Sequence, residues 1–392
     1  VTDTPARAPV DPRAALAGAR RIVVKVGSSS LTTAAGGLDP ALVDALVDAL
    51  ATGPAAQTVL VSSGAIAAGL APLGLPARPR DLATQQAAAA VGQGVLVADY
   101  SRSFARHRRT VAQVLLTADD VVRRTNYRNA ERALDRLLGL GVLPVINEND
   151  TVATEEIRFG DNDRLAALVA HVVRADALLL LSDVDGLYDA PPARRGSTRI
   201  DLVEDPADLD PASFAGSGSA VGTGGMATKV QAAGIATAAG IPVVLAAAAD
   251  AARALAGEAV GTAFAARGHR FRARTAWLAY ASRPAGALHL DAGAAAAVTG
   301  RGASLLAAGV TGAEGRFAAG DPVDLVGPDG TVLARGLVGF DIDEVGPMLG
   351  RSTTELAAAY GPERARELVH RDALALLAPT VAAWSRRSPG RG

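Results

Sequence analysis

The 392-residue sequence predicts an α/β protein, a mostly parallel sheet sandwiched by helices, followed by a small β-rich module at the C-terminus. Two observations carry this prediction. Over the first two-thirds of the chain, short apolar runs alternate with Ala/Leu-rich stretches whose apolar residues recur every three or four positions. Near residue 270 that alternation stops, and short strand-like pieces separated by glycine turns replace it. Composition then excludes whole classes of chemistry. The net charge of −1 gives no general attraction to nucleic acid or anionic membrane, and no apolar run has the length of a membrane span. There is no cysteine, which removes disulfides, thiolate nucleophiles and Cys-based zinc sites together. His107, His171, His269, His289 and His370 show no metal-ligand spacing.

In chain order, VTDTPARAPVDPRAA lacks a hydrophobic signal core, so residues 1–17 read as a leader on a cytoplasmic protein. RIVVKVG (21–27) reads as a buried strand running into a glycine loop. LDPALVDALVDAL (38–50) is helical in period. QTVLVSSG (57–64) is a second strand, with a helix starting in GAIAAGLAPLG. RTVAQVLLT (109–117) is a third strand, and NYRNAERALDRLLGLG (126–141) an amphipathic helix closed by glycine. VLPVINEND (142–150), ADALLLLSDVDG (175–186) and IPVVLAA (241–247) complete six strands. GALHLDAG, SLLAAGV, GDPVDLVGPDG and TVLARGLVGF are the strand-like pieces of the C-terminal module, placed at 283–365, with a polar tail at 366–392.

Open α/β sheets bind ligands beyond the carboxyl ends of their strands. The polar residues cluster there: Lys25, Gly27 and Ser28 to Ser30 after the first run, Ser62 to Gly64 after the second, NEND (147–150) and GDND (160–163) after the fourth, and Ser182, Asp183 and Asp185 after the fifth. GTGGMATK (222–229) closes the set. Each piece also has a purely structural reading: Ser63 as a helix cap, NEND and LSDVDGLYD as turns, the Asp residues of GDND as partners of a helix dipole. The lysines are harder to explain that way. Among 39 basic residues only Lys25 and Lys229 are lysine. Ammonium is a compact point charge and guanidinium a wide planar fork, a difference that matters in a crowded phosphate site. The usual nucleotide fingerprints are absent, since GAIAAG has no GK[ST] ending, Lys229 precedes Val230, and no GxGxxG follows the first strand.

VVKVGSSSL, VSSGAIAAG, PVINENDTVAT, FGDNDRLAALVA, LLLLSDVDGLY and GTGGMATKVQAA, in this order, resemble the glutamate 5-kinases. That resemblance implies the amino-acid kinase fold over residues 18–270. The β-rich pieces at 283–365 resemble a PUA domain. The resemblance also implies roles. Lys25 and Lys229 would contact ATP phosphates and Asp163 would orient both. Gly27, Ser182, Asp183, Thr223, Gly224, Gly225, Met226, Ala227 and Thr228 would bind the nucleotide; Ser63, Asp150 and Asn162 would hold L-glutamate. Ser182 stands where the family usually has Thr, and Ala227 where Ser is common. The implied cofactors are ATP and Mg²⁺, with no metal-ligating residue assigned. Proline is the implied feedback inhibitor, a homo-oligomer (dimer or tetramer) the implied assembly, and proline biosynthesis the pathway.

The chemistry suits a site without His or Cys. A side-chain carboxylate, with a pKa of about 4, is ionised at neutral pH and needs no general base. Two readings compete. One is another acceptor on the same fold, such as acetylglutamate, aspartate, UMP or carbamate. The other is an RNA-binding module with a vestigial kinase domain. The module has no dense basic stripe to support the latter, because Arg301, Arg316 and Arg335 are scattered.

Overall fold

All six apolar runs of the first part form strands: β1 (Arg21–Val26), β2 (Gln57–Ser62), β3 (Val111–Leu116), β4 (Leu143–Glu148), β5 (Ala177–Ser182) and β7 (Val243–Ala247). The computed structural model describes residues 11–33, 37–117, 120–121, 124–152, 162–190, 194, 196–209, 225–266, 278 and 284–377. The chain divides into two units, Val1–Arg270 and Phe271–Gly392. In the first, the short strands β6 (Leu202–Val203) and β8 (Thr262–Phe264) complete an eight-stranded sheet of order β3-β4-β2-β1-β5-β7-β8-β6. Every pairing is parallel except β7 with β8. β1 is central: the chain fills the β2 side first, then crosses to β5. The carboxyl end of β1 is therefore the switch point at which ligands bind such sheets.

The helices are α1 (Pro12–Ala17), α2 (Pro40–Thr52), α3 (Ala65–Leu70), α4 (Leu82–Ala105), α5 (Arg124–Gly139), α6 (Asn162–Val172), α7 (Met226–Ala238) and α8 (Ala251–Leu255). Local chemistry sets several starts. Asp39 accepts from the Ala41 N–H ahead of Pro40 at the first turn of α2, and Asp81 caps α4 through Thr84 N–H. Side chains alternate across β1. Ile22, Val24 and Val26 join a core with Val43 and Val47 of α2 and Leu96, Tyr100 and Phe104 of α4. Val23 and Lys25 face the opposite layer, where α6 packs on β1.

α4 has no counterpart among the helices read from the sequence, because its Ala- and Gly-rich run has almost no polar face. The structure explains that composition. A Cβ on Gly92 would lie 1.8 Å from the Ala65 carbonyl oxygen, and one on Gly69 would lie 1.9 Å from that of Ala88. α3 and α4 thus touch backbone to backbone, which only glycine permits at those two positions. Among the described residues, no helix is long and apolar enough to cross a membrane.

Two sequence-based boundaries need correction. Residues 12–17 are not a leader: they form α1, whose Leu16 enters the main core and whose Arg13 pairs with Asp201 at 2.8 Å. Residues 369–376 are not tail but the strand β13 (Val369–Leu376). Three consecutive exposed polar residues, His370, Arg371 and Asp372, leave this edge strand without the alternation that marks a strand in sequence. β13 completes the second unit's five-stranded sheet, of order β10-β9-β11-β12-β13. Its other strands are β9 (Gly286–Leu290), β10 (Val310–Gly315), β11 (Pro322–Val326) and β12 (Val332–Val338). SLLAAGV is no strand. Leu305 makes an isolated bridge to Val369, and residues 307–309 are a 3₁₀ turn leading into β10. The unit also contains α9 (Ala292–Arg301), α10 (Ile342–Val345) and α11 (Thr353–Tyr360). Its own core gathers Leu288, Phe317, Leu325, Phe340, Met348, Leu356 and Val369.

Candidate active site

Lys25 is the fifth of the six residues of β1, inside the strand rather than in the loop after it. Its neighbours in register are Val61 of β2 and Leu180 of β5, and its side chain is 2% exposed as a residue. A lysine there needs a partner, since an isolated buried ammonium is very costly. Asp163 provides it. This residue sits in the first turn of α6 and is completely buried, with Oδ1 2.5 Å from Lys25 Nζ. Its other oxygen is 3.0 Å from Nζ of Lys229, which is 7% exposed on α7. Lys229 is likewise not in the glycine loop but is the fourth residue of the helix that follows it. One carboxylate thus bridges two ammonium groups drawn from a strand and a helix 204 positions apart in sequence number. Two ammonium groups and one carboxylate thus meet in a buried setting.

Gly27 follows β1 directly, and a Cβ there would lie 3.8 Å from Lys25 Nζ and from Ser29 Oγ, an ordinary contact distance. Gly225 is the N-cap of α7, and among the described residues nothing lies within 4 Å of where its Cβ would be. Met226, Ala227 and Thr228 form the first turn. Thr228 Oγ1 donates to the Gly225 carbonyl at 2.7 Å and lies 3.4 Å from Asp163 Oδ2. A helix N-terminus beside buried ammonium groups suits anionic oxygen. Thr223 and Gly224 lie outside the described residues.

A second polar group adjoins the first through Asn162, the chain neighbour of Asp163. Asn162 Nδ2 donates to Ser63 Oγ at 2.8 Å, to Asn147 Oδ1 at 2.9 Å and to the Ser62 carbonyl at 3.3 Å. Ser63 is therefore not a helix cap. The N-cap of α3 is Gly64, whose φ of 106° is the left-handed conformation that makes glycine the residue for this turn. Ser62, the last residue of β2, shares a 2.9 Å hydrogen bond with the Tyr100 hydroxyl, whose pKa burial pushes up while Ser62 partly offsets it. Asp150 follows β4 in a half-buried turn. Ser182, buried at the end of β5, donates to the exposed Asp183 at 3.1 Å. Among the described residues that pair has no hydrogen bond to either cluster.

Two residues of this arrangement had no role in the sequence reading. Asn147 is the first residue of NEND, and its Nδ2 donates to Gln93 Oε1 of α4 at 2.9 Å. Gln93 left a weak trace. It occupies the buried stripe 89, 93, 96, 100 of α4, where every other member is apolar or aromatic.

Known proteins match this chain in sequence along nearly its whole length. The profile of the amino acid kinase family matches residues 20–247, and that of the PUA domain residues 286–359. The glutamate 5-kinase of Streptomyces coelicolor is 63% identical over 370 residues, covering 94% of this chain and 99% of that protein. The glutamate 5-kinase of Frankia casuarinae is 62% identical over 362 residues, covering 92% and 98%. That of Bifidobacterium longum is 54% identical over 377 residues, covering 95% and 100%. These matches run through both units rather than stopping at the shared kinase fold. The chain belongs to the glutamate 5-kinase family, with an amino acid kinase domain followed by a PUA domain.

Proposed function

We propose that this chain transfers the γ-phosphoryl group of ATP to the side-chain carboxylate of L-glutamate, giving L-glutamate 5-phosphate for proline biosynthesis. The observation that carries the reading is the bridge of Asp163 between Lys25 and Lys229. Phosphoryl transfer from ATP to a carboxylate brings an anionic nucleophile to an anionic phosphate. The obstacle is charge, not proton removal. A carboxylate oxygen forms the new P–O bond while the bond from the γ-phosphorus to the β–γ bridging oxygen breaks, and the electron pair leaves with ADP. Two ammonium groups pre-positioned by one carboxylate can meet that charge without reorganising at the moment of reaction. The two ammonium groups and the first turn of α7 beside them fit a triphosphate. Mg²⁺ would arrive with that triphosphate and neutralise part of its charge.

In this reading Lys25, Lys229 and the first turn of α7 contact the phosphates, and Ser182 and Asp183 meet the rest of the nucleotide. Ser63, Asn162 and Asp150 hold glutamate. Asp150 has the wrong charge for a substrate carboxylate but suits an α-ammonium. Proline shares that ammonium and its α-carboxylate, and we place proline inhibition at the same pocket. The kinase domain takes residues 12–270 and the PUA-like domain 283–376, in a cytoplasmic homo-oligomer. The test is ATP-dependent hydroxamate formation with L-glutamate against acetylglutamate, aspartate, carbamate and UMP, the last followed by ADP release. Turnover confined to another acceptor would overturn the assignment.

A further inference from the structure

Three side-chain amides behind the strand ends form a line whose direction is imposed by one backbone group. The N–H of Glu148 donates to Asn147 Oδ1 at 2.9 Å, and a backbone N–H cannot exchange its role. Asn147 must keep its oxygen on that side and its Nδ2 on the other, where it donates to Gln93 Oε1 at 2.9 Å. The same oxygen of Asn147 accepts from Asn162 Nδ2 at 2.9 Å, and the remaining donation from that nitrogen goes to Ser63 Oγ at 2.8 Å, with the Ser62 carbonyl at 3.3 Å. Turning Gln93 would set donor against donor at Asn147; turning Asn162 would set acceptor against acceptor. The orientation of all three amides thus follows from a single fixed donor.

Two atoms are left over at the ends of the line. Asn162 Oδ1 and Gln93 Nε2 are buried and have no hydrogen-bond partner among the described residues. Folded proteins keep few such atoms, and one held beside a binding site is an unfilled place for a ligand group. Asn162 Oδ1 can only accept. It belongs to the residue that touches Ser63 and directly precedes Asp163. What it can recognise is a ligand N–H.

We propose that Asn147 and Gln93 are positioning residues that make the acceptor site selective for a substrate bearing an ammonium group. They hold Asn162 with its oxygen left for the ligand. An α-ammonium offers three donors, of which Asp150 would meet one through charge and Asn162 Oδ1 another through direction. A dicarboxylate without nitrogen gains nothing from that oxygen and leaves it unpaired. Gln93 acts from a separate helix: without its Oε1, the Asn147 amide loses the partner on its far side. The proposal rests on the glutamate reading given above and adds to it a device for choosing among acids.

The experiment compares binding of L-glutamate and glutarate, which share both carboxylates and differ in the ammonium. Full-length wild type, Asn147→Ala and Gln93→Met are titrated by calorimetry, with glutarate also measured by competition. Thermal melting and the KM for ATP report on folding and on the nucleotide site. In Asn147→Ala, glutamate should weaken by about tenfold or more while glutarate changes less than about twofold, the scale of one hydrogen bond to a charged group. Gln93→Met should shift the same preference in the same direction, less strongly, with the KM for ATP unchanged in both. Equal weakening of the two acids, or no change, in a folded variant overturns the proposal. If Asn147→Ala does not fold, Gln93→Met decides alone. A wild-type chain that binds neither acid overturns the glutamate reading and this proposal with it; loss of both acids alike only in the variants overturns this proposal alone.

Discussion

At the scale of single residues, the two lysines differ from the chain's many arginines because both must reach the same carboxylate. Asp163 is fully buried, and each of its oxygens takes one ammonium. A guanidinium at either position is too wide for that geometry. Lys25→Arg and Lys229→Arg should each lower kcat by ~100-fold with little change in the KM for glutamate. Lys25→Arg should be the more severe, because its site is the more enclosed. Steady-state kinetics on variants shown to fold by circular dichroism checks this; near-normal turnover in both would mean that charge alone suffices. Removing the carboxylate has a different signature. Asp163→Asn leaves two buried ammonium groups without their common partner, at a cost of ~3–5 kcal/mol. The variant should melt well below wild type, and ATP should restore more stability to it than to wild type, since phosphates can take up the freed charges. Melting curves with and without nucleotide decide it. Asp150→Asn should weaken glutamate and proline together, each by about tenfold, if one carboxylate meets both ammonium groups. Intact proline inhibition beside lost glutamate affinity would place proline elsewhere.

At the scale of elements, the contact between α3 and α4 joins the two segments that carry Ser63 and Gln93, both part of the proposed acceptor site. α3 starts at Ala65, directly after Ser63 and Gly64, and α4 carries Gln93 next to the contact glycine Gly92. The two helices are held together by missing side chains: any Cβ on Gly92 would meet the Ala65 carbonyl at 1.8 Å and the Gly69 nitrogen at 2.4 Å. Neither obstacle is a flexible side chain that could swing aside. Gly92→Ala should therefore push α3 away from α4, costing ~1–3 kcal/mol as an overpacking change. In a unit of this size that is a melting shift of about 2–12 °C. Because the displaced turn carries Ser63 and the displaced helix Gln93, the KM for glutamate should rise while the KM for ATP holds. Equal changes in both constants would show that the distortion spreads beyond the acceptor side. Gly94, whose Cβ would meet nothing within 4 Å among the described residues, offers the matching control, and Gly94→Ala should leave both constants unchanged.

At the scale of the whole molecule, the two units each have a separate hydrophobic core and a separate sheet. Every residue assigned to the reaction precedes the division after Arg270. A chain ending at residue 270 should fold and retain hydroxamate formation with glutamate, with changes confined to assembly and to inhibition by proline. A truncated protein that is folded yet inactive would place part of the site in the C-terminal unit. Within that unit, Arg335 and Asp324 face each other across β11 and β12 at 2.7 Å, both largely buried. An arginine held in such a pair is not available to nucleic acid, which weighs further against reading the scattered arginines as an RNA surface.

The sequence by itself determined six of the eight strands in the first unit's sheet, and the family. Buried parallel strands are continuous apolar runs, and the polar strings at their ends are long enough to be distinctive without coordinates. It also marked Lys25 and Lys229 as unusual by their residue type alone. Only the tertiary structure decided how these pieces act together. That one carboxylate joins both lysines depends on β1, α6 and α7 meeting in space, and nothing local in VVKVG or ATKVQ records the distance. Asn147 and Gln93 stayed unassigned for the same reason, because an amide's role is set by which way it faces, and that is imposed by the Glu148 N–H. α4 was missed because a helix packed through glycines lacks the polar face that periodicity detects. β13 reads as tail in the sequence because His370, Arg371 and Asp372 stand together in it, while its pairing with β12 is a backbone matter. Propensity and pattern describe a residue's own neighbourhood; contacts between distant segments belong to the folded chain.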